Sequence, residues 1–351
     1  MEAEVVFAAK DIFIVVESAA DESAVALLKR TVYGTKGPRY QHTGQEIKVG
    51  HLRNPLFFRL IRENQTIGFY CLTEREVDTP AGRMKGFYGR YLAVDEGEKG
   101  KGYGRLLKAE AAKFVERHVS PPLVLFSYIE ESNIRSLRIS ETEGFSSIAT
   151  LETTLFSRLS PELDNRFGRL DASEHEPMRR QLERFYEEYT FKTFENISYG
   201  GNYFVLREAG VIIAGVQANP VSWRFVSMPG VGGWVMMHLF QLVPGLKKLF
   251  NPACYQFLAL EGLFLKPGRE EALFPLLESA LAHFGFSSAM FQLDTKDHLL
   301  HLLKSSGRLG FMNQFKKSVT THVMVKFLTA RGEQPNLLAE QPVYVSSFDF
   351  T

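Results

Sequence analysis

Seven consecutive residues, Lys99-Gly100-Lys101-Gly102-Tyr103-Gly104-Arg105, combine three glycines with three cations. They lie between GFYGRYLAV (86–94), which reads as a strand, and GRLLKAEAAKFVERH (104–118), which reads as a helix. Glycine has no Cβ, so backbone amides in such a loop can turn inward and approach a ligand closely. The helix behind adds unpaired N–H groups and a partial positive charge. Together these make an anion cradle, and a pyrophosphate is its natural guest. A magnesium-dependent P-loop is excluded, because Tyr103 and Gly104 stand where Ser or Thr would follow Gly-Lys. A dinucleotide fingerprint needs G-x-G-x-x-G, whereas the spacing here is G-x-G-x-G. Taken alone, the loop is also compatible with a solvated turn.

The flanking sequence supplies a scaffold. IFIVV (12–16) reads as a strand, and Asp21 can cap the helix that follows it. FFRLI (57–61) and TIGFYCLTE (66–74) read as a hairpin, and Asp78–Gly82 as a turn into the loop's own strand. LVLFSYI (123–129) is the next strand; Asn133 opens a short helix that ends at Gly144, a C′ glycine, and SIATLETTLF closes this half. The second half repeats the order. YFVLREAGVIIAGV (203–216) copies the hairpin, residues 260–284 parallel 91–115, and residues 288–311 parallel 123–145. The expected division is a first domain over 1–160 and a second over 161–351, with an apolar insertion near 217–256. The second copy's loop, Leu265 to Ala272, has one glycine and places Glu270 and Glu271 in the first helical turn, where they repel a diphosphate.

Composition bounds the rest. The 351 residues suit two domains. Forty-one Lys and Arg against 40 Asp and Glu leave a net charge of +1, which argues against a nucleic-acid-binding surface. Cys71 and Cys254 are too few for a disulfide or Cys-rich zinc framework and suit a reducing, cytoplasmic setting. The N-terminus lacks the basic region of a secretory signal. The most apolar stretch, 226–249, is broken by Pro and Gly and falls short of the roughly 20 residues of a spanning helix. It is expected to be a buried or lid-forming helix, with a helix lying in a bilayer surface as the alternative. His298 and His301 lack an acidic or Cys partner at ligand spacing, so no metal is expected.

The segment LAVDEGEKGKGYGRLL (92–107) resembles motif A of the GCN5-related N-acetyltransferases, the GNAT superfamily, with Lys99 where that family prefers Arg or Gln. Asn133 to Phe145 is similar to the family's N-x-x-(A/S)-x-x-L-Y-x-x-x-G-F segment. The two motifs cover about 86–145, and the hairpin 57–74 extends the match. The resemblance implies an α/β fold with a mixed sheet (α+β), as two tandem GNAT-like domains of which the second is degenerate. It implies acetyl-CoA as acyl donor, with the backbone of Leu92, Ala93 and Val94 along the pantetheine arm. Amides from Lys99 through Gly100, Lys101, Gly102, Tyr103 and Gly104, with Arg105, would hold the pyrophosphate, and Asn133 would contact the pantetheine region. As a residue, Asn133 is equally a plain N-cap.

The resemblance also exposes a departure: in many relatives a Tyr in the short helix protonates the leaving thiolate, and here that position is Ser140. A serine hydroxyl is a poor acid near neutrality, so the donor must be sought on nearby strands. Tyr128 is the first choice, with Tyr88 guiding the amine's proton away; both are also ordinary candidates for packed strand tyrosines. The expected function is transfer of an acyl group from acetyl-CoA to an amine of a small molecule or peptide. The alternatives are a non-catalytic acyl-CoA sensor or scaffold, and an acyltransferase acting at a membrane surface.

Overall fold

A computed structural model describes residues 3–34, 36–79, 82–315, 319–329 and 341–351. Of the expected turn at Asp78–Gly82, Pro80 and Ala81 lie outside these residues. In chain order the elements of the first half are β1 (Glu4–Ala9), β2 (Ile12–Glu17), α1 (Glu22–Arg30), β3 (Arg39–His42), α2 (Gln45–Gly50), β4 (Pro55–Arg62), β5 (Gln65–Thr79), β6 (Gly82–Val94), α3 (Tyr103–His118), β7 (Leu123–Glu130) and α4 (Ile134–Thr142). There follow β8 (Ser146–Ser157), β9 (Phe167–Arg169), α5 (His175–Phe185), β10 (Tyr203–Glu208), β11 (Val211–Ser227), α6 (Gly230–His238), α7 (Pro244–Leu249) and β12 (Tyr255–Leu265). The last are α8 (Leu273–Phe284), β13 (Ser288–Asp294), α9 (His298–Ser305), α10 (Phe311–Phe315) and β14 (Thr320–Leu328).

The chain forms two compact units, and they do not divide at residue 160. One comprises residues 1–35, 39–148 and 322–339; the other comprises 36–38, 149–321 and 340–351. The strand after α4, expected to close the first half, belongs from Ala149 onward to the second unit, and β14 belongs almost entirely to the first. In the first unit the strand order is β1-β2-β4-β5-β6-β7-β14; in the second it is β8-β13-β12-β11-β10-β9. Each contains a parallel pair, β6 with β7 and β12 with β13, beside antiparallel pairs such as β5 with β6 and β11 with β12. The mixed α/β sheet follows from this: a helix must cross over wherever two parallel strands are neighbours.

Local chemistry explains the elements. Asp21 Oδ1 accepts from Ser23 N at 2.8 Å, capping α1 as its sequence indicates. The β4–β5 hairpin turns through Glu63 and Asn64, both at positive φ, and β10–β11 turns through Ala209 and Gly210, also both at positive φ. Two central residues of this kind match the twist of the flanking strands. A second correspondence lies deeper: Tyr91 in β6 and Gly262 in β12 share φ 57° at a bulge against the preceding strand. The two hairpins and the two bulges thus share local backbone conformation.

In the first unit the core below α3 joins Leu107, Ala111 and Val115 to Phe58, Leu60, Leu72, Phe87 and Leu125 from the sheet. A second cluster packs α1 and α2, through Leu27, Leu28 and Val49, on Phe57, Phe69 and Cys71. The sheet is thus buried between two helical layers, which holds β6 and β7 rigidly at the point where they carry the loop and α4.

Candidate functional site

The strand that leads into the glycine-rich loop parts from its neighbour just before it. β6 and β7 stay in register from Lys85↔Leu123 to Tyr88↔Phe126, yet β6 continues to Val94 and β7 to Glu130. On its other side β6 remains paired with β5, Phe69 opposite Ala93 and Gly68 opposite Val94. The bulge at Tyr91 turns the strand at this point. The backbone of Leu92, Ala93 and Val94 therefore presents an edge beside a cleft, which an amide-bearing arm can line.

Beyond Val94 the chain makes a single 3₁₀ turn, Glu96–Glu98, capped by Asp95, and then reaches Gly100 at φ 92° and Gly102 at φ 88°. Gly102 is the N-cap of α3 and offers no side-chain cap, so the first amides of the helix remain for another acceptor. No heavy atom lies within 4 Å of the place a Cβ would occupy on Gly100 or Gly102. The cradle is open, and its residues fit a bound diphosphate.

Its charge is balanced in a way the sequence does not reveal. Lys99 Nζ pairs with Glu96 at 2.5 Å, Lys101 Nζ with Glu98 at 3.0 Å, and Arg105 Nε with Glu143 at 2.8 Å. Arg62, from the β4–β5 hairpin, grips Glu98 through two bonds of 2.7 and 2.9 Å. Hydrogen bonds from Lys101 and Arg62 hold the Glu98 carboxyl below its usual range. The backbone amides of the loop are therefore the groups left to meet an anion, since each of the three cations is held by a carboxylate.

Asn133 sits at the N-cap of α4, where its Oδ1 accepts from Ser136 N at 3.2 Å. The other end of α4 closes in a Schellman motif around Gly144 at φ 84°: Gly144 N donates to Glu141 O at 3.0 Å and Phe145 N to Ser140 O at 2.9 Å. That turn fixes Ser140 and Phe145 around a side chain overlooked in the sequence, Lys108 of α3. Lys108 Nζ donates to Ser140 Oγ at 2.5 Å and lies 4.0 Å from the centre of the Phe145 ring. Burial pushes the Lys108 ammonium down to about 7, opposed by the charge of Glu143. Lys108 also borders a small cavity with Tyr70, Phe87, Leu125 and Phe126.

Tyr88 and Tyr128 come together where β6 and β7 part, ring centres 5.1 Å apart, each against Phe126. Arg75 stacks over Tyr88 at 5.0 Å, and Arg90 over Tyr91 at 4.3 Å, bonding the Tyr91 hydroxyl at 2.8 Å. Nearby, Tyr33 meets His42 edge-on at 4.7 Å. Burial and the Arg90 charge push the Lys48 ammonium down to about 7, and burial raises the Glu130 carboxyl. Tyr40 and His42 lie in the four-residue strand β3 and Tyr33 bridges Tyr40, a piece too short to show periodicity, so nothing in the sequence assembles this group.

In the second unit the corresponding loop is occupied by its own carboxylates. Glu270 Oε1 accepts from Gly268 N at 3.3 Å, while Arg269 is held by Glu271 at 2.6 Å and by Glu208. Among the described residues no group of His, Cys, Asp and Glu could hold a metal ion. His298 instead meets the Tyr189 hydroxyl at 3.2 Å.

No protein-family model and no curated sequence matches the chain. Solved structures do. Saccharomyces cerevisiae N-myristoyltransferase with bound myristoyl-CoA superposes with a TM-score of 0.64 at 8% identity, over 98% of this chain and 91% of that one. The same yeast enzyme with bound myristoyl-CoA and inhibitors gives 0.61 at 9% identity, over 95% and 86%. A GCN5-related N-acetyltransferase from Kribbella flavida gives 0.50 at 10% identity, over 97% and 83%. At these identities the likeness is one of fold. The chain has a GNAT-like fold along nearly its whole length.

Proposed function

We propose that the protein is an acyltransferase that moves an acetyl or related acyl group from its CoA thioester directly to an amine of a small molecule or peptide. The observation that carries this reading is the parting of β6 and β7 beside an open loop of glycine amides at a helix N-terminus. The amides of Lys99 to Gly104 would bind the pyrophosphate, with Lys101 and Arg105 turning from Glu98 and Glu143 to meet it. The edge of Leu92 to Val94 would pair with the pantetheine amides, and Asn133 would bond the arm while capping α4.

The acceptor amine must attack in its neutral form, which at pH 7 costs a lysine-like amine about 4–5 kcal/mol. Its nitrogen bonds to the thioester carbonyl carbon, the C–S bond breaks, the nitrogen gives up a proton and the departing sulfur takes one. Tyr128 is assigned the proton for sulfur, and Tyr88 leads the amine's proton away. One observation favours a second donor: the buried Lys108 ammonium, fixed by Ser140 at the helical position where the family carries its tyrosine. An acid near 7 is well matched to a thiolate whose conjugate acid lies near 8.5.

Release of free CoA from acetyl-CoA across a panel of amines tests the proposal. Turnover with at least one class of amine is expected. Tight acetyl-CoA binding with no turnover on any amine would leave a sensor or scaffold as the function.

A further inference from the structure

The insertion between β11 and β12 shows the solvent an apolar face. Val231 is 82% exposed, Leu242 75% and Trp234 54%, and Val226, Leu239 and Val243 are exposed beside them. The inner side of α6 and of the turn after it is apolar as well, through Met236 and Phe240. A surface helix in water normally turns a polar side outward, and this one does not. The face cannot simply fold inward. A Cβ on Gly233 would meet the backbone of Met228 at 2.7 Å, so the inner side is already packed to contact.

The charge pattern says what covers it. From Phe225 to Leu246 the chain has no Asp, Glu, Lys or Arg, and the charges that bound this stretch are all positive: Arg224 before it, Lys247 and Lys248 after it, all three exposed. A protein partner is ordinarily oriented by polar and charged groups around an apolar centre. Within this stretch there is no carboxylate to repel an anionic surface, and its exposed polar side chains, Ser227, His238 and Gln241, carry no negative charge. An indole is suited to the boundary between acyl chains and headgroups. No helix among the described residues is long and apolar enough to cross a membrane.

We propose that residues 226–248 seat the protein on an anionic lipid bilayer, with Val231, Trp234 and Leu242 entering the acyl boundary and Lys247 and Lys248 meeting the headgroups. The proposal stands or falls independently of the acyl-transfer reading.

The test uses the full chain, sedimented with vesicles of phosphatidylcholine alone and of phosphatidylcholine containing phosphatidylserine. Binding to the mixed vesicles is expected, weakened about tenfold or more without phosphatidylserine or in high salt, with a blue shift of Trp234 emission. Leu242→Asp and Val231→Asp, both at exposed positions and checked by circular dichroism, should each weaken binding by about tenfold. Lys247→Glu with Lys248→Glu should remove the preference for phosphatidylserine. Absence of vesicle binding, or equal binding by Leu242→Asp, would overturn the proposal. So would self-association of the protein that Leu242→Asp abolishes, since the face would then join a second copy of the chain.

Discussion

Lys108 Nζ and Ser140 Oγ are 2.5 Å apart, joining the second turn of α3 to the end of α4 across the interior of the first unit. Ser140 in turn donates to Ser136 O at 2.9 Å, so the hydroxyl is held from both sides. Burying a lysine in such a place costs stability while its ammonium is charged.

The stability side has a definite sign. The Lys108 ammonium lies near 7 in the folded chain and near 10.5 when unfolded. Between those values the folded state binds fewer protons, so stability rises with pH from about 7 to about 10. Groups facing Lys108 are Glu143, which favours its charge, and Tyr70 across the cavity. Lys108→Met should raise the melting temperature at pH 7 and flatten this part of the pH dependence in thermal scans. Lys48, also pushed down to about 7, keeps part of the slope in that variant.

The catalytic side separates the two donors. Tyr128→Phe should lower turnover by about 10²–10⁴-fold if tyrosine protonates the sulfur, with little change in acetyl-CoA affinity. If Lys108 does so, Lys108→Met shows that loss instead and Ser140→Ala a smaller one, because Ser140 only orients the ammonium. Comparing kcat with the calorimetric Kd for all three variants decides between them.

Gly89 is a tight spot beside the parting strands. A Cβ there would run into the Tyr70 hydroxyl, whose ring is buried under α3. Gly89→Ala should cost about 1–3 kcal/mol in denaturant unfolding. Tyr70→Phe in the same chain should recover part of it, since the shortest contact is with the hydroxyl and the ring carbon behind it stays at 2.9 Å.

Residues 1–160 expressed alone should not give a stable domain. The first unit needs β14, which lies far beyond residue 160, beside β7, and β8 would lose its partner β13. Unpaired strand edges of this kind promote aggregation. Size-exclusion chromatography of that fragment should show aggregates, whereas the whole chain elutes as a discrete species.

What could be read in advance was what depends on neighbouring residues. Asp21, Asn133, Gly102 and Gly144 act within a few positions of themselves, and the structure finds them as caps or positive-φ glycines. The N-terminal strand β1 went unread because its hairpin turns through Lys10 at φ 54° and Asp11, with no glycine to announce it. The placement of β8 and β14 was hidden for a different reason: strand partnership is set by distant chain. Lys108 looked like an ordinary helix cation; its burial depends on a serine 32 residues away. The carboxylates of Glu96 and Glu98 stood beside the cationic loop in plain view, but their pairing needs the 3₁₀ turn that aims them.

The most direct test of the account is calorimetric titration of the full chain with acetyl-CoA. One site per chain is expected, lost in Gly102→Val, which both forces a β-branched residue to φ 88° and fills the open cradle. Glu270→Gly in the second unit should leave that site unchanged, because the cradle is formed by the loop of the first unit. Two equivalent sites, or undiminished binding by a folded Gly102→Val variant, would contradict the assignment of the first unit's glycine loop as the acyl-CoA cradle.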